Sequence, residues 1–108
     1  MRLYLLDESG DPVLEKDTVK WAILYGKRSN KIVHSGIAGN YKEDDVTIST
    51  VFLGLDHSTD EGGEPMIFET MVFGGKHDGL CQRYSTPGQA RTGHYELYET
   101  IAKELKGS

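Results

Sequence analysis

The chain is short of several things, and each shortage excludes something. Its 108 residues hold one cysteine, Cys81, so no internal disulfide can form and a covalently stapled scaffold is ruled out. A lone cysteine fits a reducing compartment, and the expected location is the cytoplasm. With only three prolines there is no polyproline tract. No internal repeat or linker divides the chain, so residues 1–108 read as a single domain. The N-terminal MRLYLLDESG has four apolar residues in its run before an acidic turn, too few for a signal-peptide core or a membrane span. No membrane association is expected.

Positive charge is also in deficit. Twelve Lys and Arg stand against seventeen Asp and Glu, a formal charge of −5. Residues 1–64 hold twelve acids against seven bases, whereas residues 65–108 hold five of each. The excess gathers at Glu43-Asp44-Asp45 and at Asp56, Asp60, Glu61 and Glu64. Such a surface repels a nucleic-acid backbone, so direct nucleic-acid binding is not expected. It serves solubility, or it meets a basic partner, including one whose nucleic-acid groove it would occupy.

The periodicity that is present describes an α+β protein. Arg2 to Leu6 reads as a strand ended by the turn former DESGDP. Thr18, Trp21, Ala22 and Tyr25 recur at helical spacing behind a cap at Asp17 or Thr18. Val19, Trp21, Ile23 and Tyr25 also alternate, so residues 17–27 are either helix or strand. Lys31 to Ala38, Val46 to Asp56 and Met66 to Phe73 read as further strands, the last two joined as an antiparallel hairpin across HSTDEGGEP. From Val51 onward FLGL is apolar at successive positions, which calls for burial on both faces or a bulge. Thr86-Pro87-Gly88-Gln89 is a capping box, and Ala90, His94, Leu97, Ile101 and Leu105 form one apolar stripe of a C-terminal helix. The expected fold is a small two-layer sandwich in the order β-α-β-β-β-α, with two helices on a mostly antiparallel sheet of about four strands.

The stretch MIFETMVFGG poses a local problem. Glu69 interrupts an apolar strand, and a carboxylate left unpaired in a dry sheet costs several kcal/mol by rough desolvation estimates. A structural pairing, a solvent-facing edge and a functional carboxylate are the three solutions. His94 points from its helix stripe at the same sheet, so a Glu69–His94 hydrogen bond across the helix–sheet interface is the specific expectation. Asp56-His57, where a strand enters its loop, joins Glu69, His77, Asp78, Cys81 and His94 as a set of ligand types suited to zinc or manganese. Their spacing matches no compact metal signature. DHSTDEG has alternating oxygens, but its glycine comes one residue late for a calcium loop. Gly62-Gly63 and Gly74-Gly75 form no phosphate-binding motif, and nothing marks an activating base for Cys81. Tyr84, Tyr95 and Tyr98 either line a groove or finish the core.

Taken in order, STVFLGLDH, FETMVFGG, Asp78, RY-T and the Ala90…Gly93-His94 segment resemble a widespread family of small uncharacterised proteins from bacteria and their phages or prophages. The matching positions are Ser49 to His57, Phe68 to Gly75, Asp78, Arg83-Tyr84, Thr86, Ala90 and Gly93-His94. The N-terminal LDESGDPV and Trp21 are similar in outline. Pro87-Gly88 departs from the acidic or aromatic residues usual in the family at the helix start. The resemblance implies an accessory protein of phage or mobile-element type; such proteins commonly act by binding, including inhibition of host defence systems.

Three functions follow as expectations. The first is a non-enzymatic binding factor whose partner is a host protein with a basic, nucleic-acid-handling surface; its binding residues would come from Asp56, His57, Glu69, Asp78, Arg83, Tyr84 and His94, with no cofactor. The second is a small hydrolase assisted by a divalent metal on Asp56, His57, Glu69 and His94. The third is a homo-oligomeric module that sequesters a nucleotide or another small ligand.

Overall fold

In the computed structural model, residues 2–27, 29–56 and 63–107 are described. Among them the chain forms six strands and two α-helices. A four-stranded antiparallel sheet has the order β3 (Lys31–Ile37), β4 (Val46–Phe52), β5 (Phe68–Phe73), β6 (Cys81–Tyr84). One long helix, α2 (Pro87–Gly107), lies across one face of it. The α+β class is as expected, with two short strands added. A single sheet carrying both helices was expected, but Leu3–Leu6 and Pro12–Glu15 form a separate two-stranded sheet, and the helix Thr18–Lys27 packs on that hairpin.

The first addition is β2 (Pro12–Glu15), which pairs with β1 (Leu3–Leu6) in register from Leu3 opposite Glu15 to Leu6 opposite Pro12. DESGDP does not merely end a strand; it closes this hairpin. The Asp7 carboxylate accepts from the Ser9 and Asp11 N–H groups, both at 2.9 Å, and Gly10 takes the left-handed conformation at φ 85°. The second addition is β6, four residues whose mostly exposed side chains leave no alternating apolar signal. Residues 17–27, compatible with helix or strand, form α1 (Thr18–Lys27) behind Asp17. Asp17 is its cap, its carboxylate accepting from the Val19 and Lys20 N–H groups at 3.1 Å.

β4 is shorter than the expected strand because FLGL is a kink rather than a doubly buried run. Past Phe52 the chain turns through Gly54 at φ 74°, and Leu53 N–H donates to the Ile67 carbonyl at 2.7 Å. A side chain at Gly54 would crowd the rings of Trp21 and Tyr25. Here the N-terminal unit attaches: Tyr4 N–H donates to the Gly54 carbonyl at 2.8 Å, and the Trp21 indole donates to the Tyr4 carbonyl at 2.8 Å. Trp21 stacks on Tyr25, Tyr25 meets Phe52 edge-on, and Phe52 packs on Phe68. The hairpin and α1 thus sit at the Phe52 end of the sheet. The longest dimension is 50 Å, and the radius of gyration is 15.6 Å, against about 13 Å for a compact chain of this length.

The burial of β4 alternates strictly, with Val46, Ile48, Thr50 and Phe52 buried, and β5 buries Phe68, Thr70 and Val72. The stripe of α2 covers this face as expected, burying Ala90, His94 and Ile101 with Leu97 and Leu105 half-buried. Its cap is a variant of the expected box. Thr86 Oγ1 accepts from Gln89 N–H at 3.1 Å, while the Gln89 side chain reaches back to Ser85 N–H at 3.2 Å. Val46, Ile48, Val72 and Ile101 form one apolar cluster, and Phe52, Ile67, Phe68 and Ala90 form another. Between the two lies a band of polar side chains.

Candidate functional site

That band is built from residues that directly face one another. Thr50 and Thr70 are paired across β4 and β5, with hydroxyl oxygens 2.5 Å apart. His94 drops onto them from α2, its Nδ1 2.8 Å from Thr50 Oγ1. Its Nε2 lies 2.8 Å from Ser35 Oγ on the edge strand β3. Thr50, Thr70 and His94 are fully buried. With a neutral ring, one nitrogen donates and the other accepts, and hydroxyls complete either assignment. Burial, and secondarily the nearby His34, hold the imidazole below its ordinary pKa of 6.5 and keep it neutral.

The expected Glu69–His94 hydrogen bond is therefore not formed. Side chains alternate across a strand, so Glu69 projects from the face opposite Thr70, and His94 is on Thr70's side. Glu69 is nevertheless satisfied within the fold. Directly across the β5–β6 ladder, Arg83 Nε donates to Glu69 Oε2 at 3.0 Å. This is a half-exposed cross-strand pair, with a contribution of about 0–1 kcal/mol.

The remaining residues singled out in the sequence are dispersed. Asp56 pairs with Arg2 and accepts from Met66 N–H at 3.1 Å. Its partnership raises the Arg2 pKa further, through the side-chain hydrogen bond first. Asp78 caps the β5–β6 turn, accepting from Gly74 N–H at 2.7 Å. Tyr84 donates to Gln82 Oε1 at 2.5 Å and borders a shallow polar groove with Arg83 and Gly93. Burial, then the charge of Glu96, raises its pKa. Cys81 is exposed, and its thiol is pushed up by desolvation and then by Glu69, which disfavours the nucleophilic thiolate. His57 lies outside the described residues. Asp56, Glu69 and His94 thus occupy three different surroundings, and the constellation needed for a metal-assisted hydrolase is not assembled from them. Among the described residues no three His, Cys, Asp or Glu side chains gather to hold a metal ion. No described helix is long and apolar enough to cross a membrane.

A concavity lies at the Val46 end of the sheet, away from α1. A cavity of about 480 Å³ opens between the turn preceding β4, the β5–β6 turn and the last turns of α2. Ligand pockets typically span about 300–1,000 Å³. Val46, Val72, Ile101 and Leu105 make its floor, and Tyr41, 68% exposed, stands at its mouth. Asp44, Glu104, His77 and Lys76 complete the rim, with His77 Nε2 2.7 Å from Glu104 Oε2. Gly74, at φ 87°, carries the chain so close to the Asp45 carbonyl that a side chain there would collide with it. Sequence reasoning reached Asp44 and His77 but missed Tyr41, Glu104, Ser35, Thr50 and Thr70. The two threonines were legible: each takes an inward position in an alternating apolar strand. Tyr41 and Glu104 carried no local signal, because only tertiary packing brings them to one cavity.

Comparison of the chain with family models, with curated proteins and with solved structures found no match.

Proposed function

We propose that the chain acts by binding another protein, as a small accessory factor of phage or mobile-element type, and that the cavity at the Val46 end is where it binds. One observation carries the reading: an apolar floor of Val46, Val72, Ile101 and Leu105 lies under a rim bearing the carboxylates of Asp44 and Glu104, the second hydrogen-bonded to His77, beside Lys76. Apolar side chains flanked by Lys or Arg match that chemistry, and the adjoining Glu43 and Asp45 extend the acidic field beyond the rim. A basic amphipathic segment of a host protein, including a nucleic-acid-handling or defence protein, is the occupant of this kind. Covering such a segment would block its owner by occupancy, with no reaction.

The test is calorimetric titration with a helical Leu/Lys peptide, mapped by amide chemical shifts. Binding with shifts at Tyr41, Val72, His77 and Leu105, weakened at least tenfold in Asp44→Lys/Glu104→Lys, is expected. A Leu/Glu peptide binding equally well, or shifts confined to another surface, would refute the site. Binding of nucleotides in place of either peptide would favour the sequestering module instead.

A further inference from the structure

The chemistry that this cavity calls for is carried by the chain itself, at its other end. Helix α1 buries no residue, yet it is apolar on two sides. Trp21 and Tyr25 face β1 and the Gly54 kink. At 100° per residue, Val19, Ile23 and Gly26 fall on the opposite side with Ala22 at their flank, and all four are exposed. Val19 is 68% exposed and Ile23 53%. Lys20 and Lys27 border this stripe on its Ile23 side, and Lys16 precedes it; all three are exposed, and Lys20, whose Nζ lies 3.7 Å from Glu15 Oε2, would exchange that surface partner on docking. The helix is thus a basic apolar element in a chain whose formal charge is −5.

We infer that the occupant of the acidic cavity is the α1 stripe of a second copy of the chain. This inference rests on the binding reading above and names the partner for that site. Val19 and Ile23, one turn apart, present two branched side chains about 6 Å from each other to the apolar floor. Lys20 and Lys27 then come against Asp44 and Glu104. The two complementary features lie at opposite ends of β4, about 20 Å apart along the strand, so one copy cannot satisfy itself. Each copy donates a stripe and accepts a stripe. Two copies lying antiparallel exchange both contacts as a two-fold dimer, whereas head-to-tail docking closes into a ring or extends as a chain of copies. Self-docking would occupy the cavity until a tighter basic partner displaced the neighbouring copy.

Sedimentation velocity over a concentration series tests this. The wild-type mass should climb past 12.0 kDa as concentration rises. Ile23→Glu, at an exposed position, and Asp44→Lys/Glu104→Lys, at the rim, should each lose self-association at least tenfold. Circular dichroism checks that both remain folded. The decisive measurement mixes the two variants. One keeps an intact cavity and the other an intact stripe, so the mixture should form a 1:1 heterodimer that grows no further. A wild type that stays at 12.0 kDa up to about 1 mM overturns the inference, as does a mixture that stays monomeric or a variant that still dimerises alone. Leu/Lys peptide binding to the Ile23→Glu variant separates the two claims. If the peptide binds while the wild type does not self-associate, the cavity stands and self-docking falls; if the peptide does not bind, both fall.

Discussion

Thr50→Val isolates the polar band with the least change of shape. In the native protein the Thr50 hydroxyl is shared between His94 Nδ1 and Thr70 Oγ1, at 2.8 and 2.5 Å, with all three residues at zero exposure. Valine fills the same volume but removes that hydroxyl, leaving two buried polar atoms each short of a partner. Stranding a buried group costs about 1–3 kcal/mol, and exchanging the hydroxyl for a methyl returns about 0.8 kcal/mol. With two groups stranded, the net expectation is a loss of about 1–5 kcal/mol, a large part of the ~5–15 kcal/mol typical of a domain. Urea unfolding should show a lower midpoint at an unchanged m value. Thr70→Val should then cost less in the Thr50→Val background than alone, because the group it would strand has already lost its partner; the coupling should be about 0.5–3 kcal/mol. A Thr50→Val loss within about 0.5 kcal/mol, or strict additivity of the two substitutions, would show that the band does not act as a network.

Other tests address single links. Because burial lowers the His94 pKa in the folded protein, the unfolded chain takes up a proton near pH 6.5 that the folded chain refuses. The unfolded state then binds more protons, so this stability is present above that pH and is lost as pH falls below it. The urea midpoint should drop between pH 7.5 and 5.5, and His94→Gln should flatten that part of the profile; an identical slope in the variant would count against it. Glu69→Gln should leave the NMR titration of His94 unmoved, since the carboxylate is on the opposite face. The same variant should speed alkylation of Cys81, because one of the causes that raise its thiol pKa has gone. Gly93→Ala would usually favour a helix by about 1 kcal/mol. Here the new methyl would collide with the Tyr84 hydroxyl, so the expected sign reverses, with a loss of about 1–3 kcal/mol measurable as a lower midpoint.

How much of this was legible depends on whether the signal was local. The capping residues Asp17 and Thr86, the α2 stripe and the alternation of β4 are written into adjacent residues, and the structure follows them. β6 and β2 were invisible because their side chains are mostly exposed or half-buried and obey no period. Glu69 shows the limit best. Its neighbours reveal that it needs a partner, but only the register of β5 against β6 decides that the partner is Arg83. His94 was placed correctly on the inward stripe; which residue it would meet required knowing which face of β5 carries Thr70.

That outcome bears on the motif residues that run from STVFLGLDH through FETMVFGG to Gly93-His94. Their distinctive members turn out to have assignable architectural tasks. Thr50, Thr70 and His94 join strands to helix, and Glu69 pairs with Arg83. Asp56 ties a loop to Met66, Asp78 caps a turn, Gly54 and Gly74 supply left-handed backbone, and Gly93 makes room for Tyr84. A pattern whose members are engaged in holding the fold specifies the scaffold and leaves the target to other positions. The cavity rim at Tyr41, Asp44, Lys76, His77 and Glu104 and the outer stripe of α1 lie outside it. If that division is right, substitutions at the pattern residues should lower stability and binding together. Rim and stripe substitutions should change binding at unchanged stability, a separation that parallel urea melts and peptide titrations on the same variants would expose.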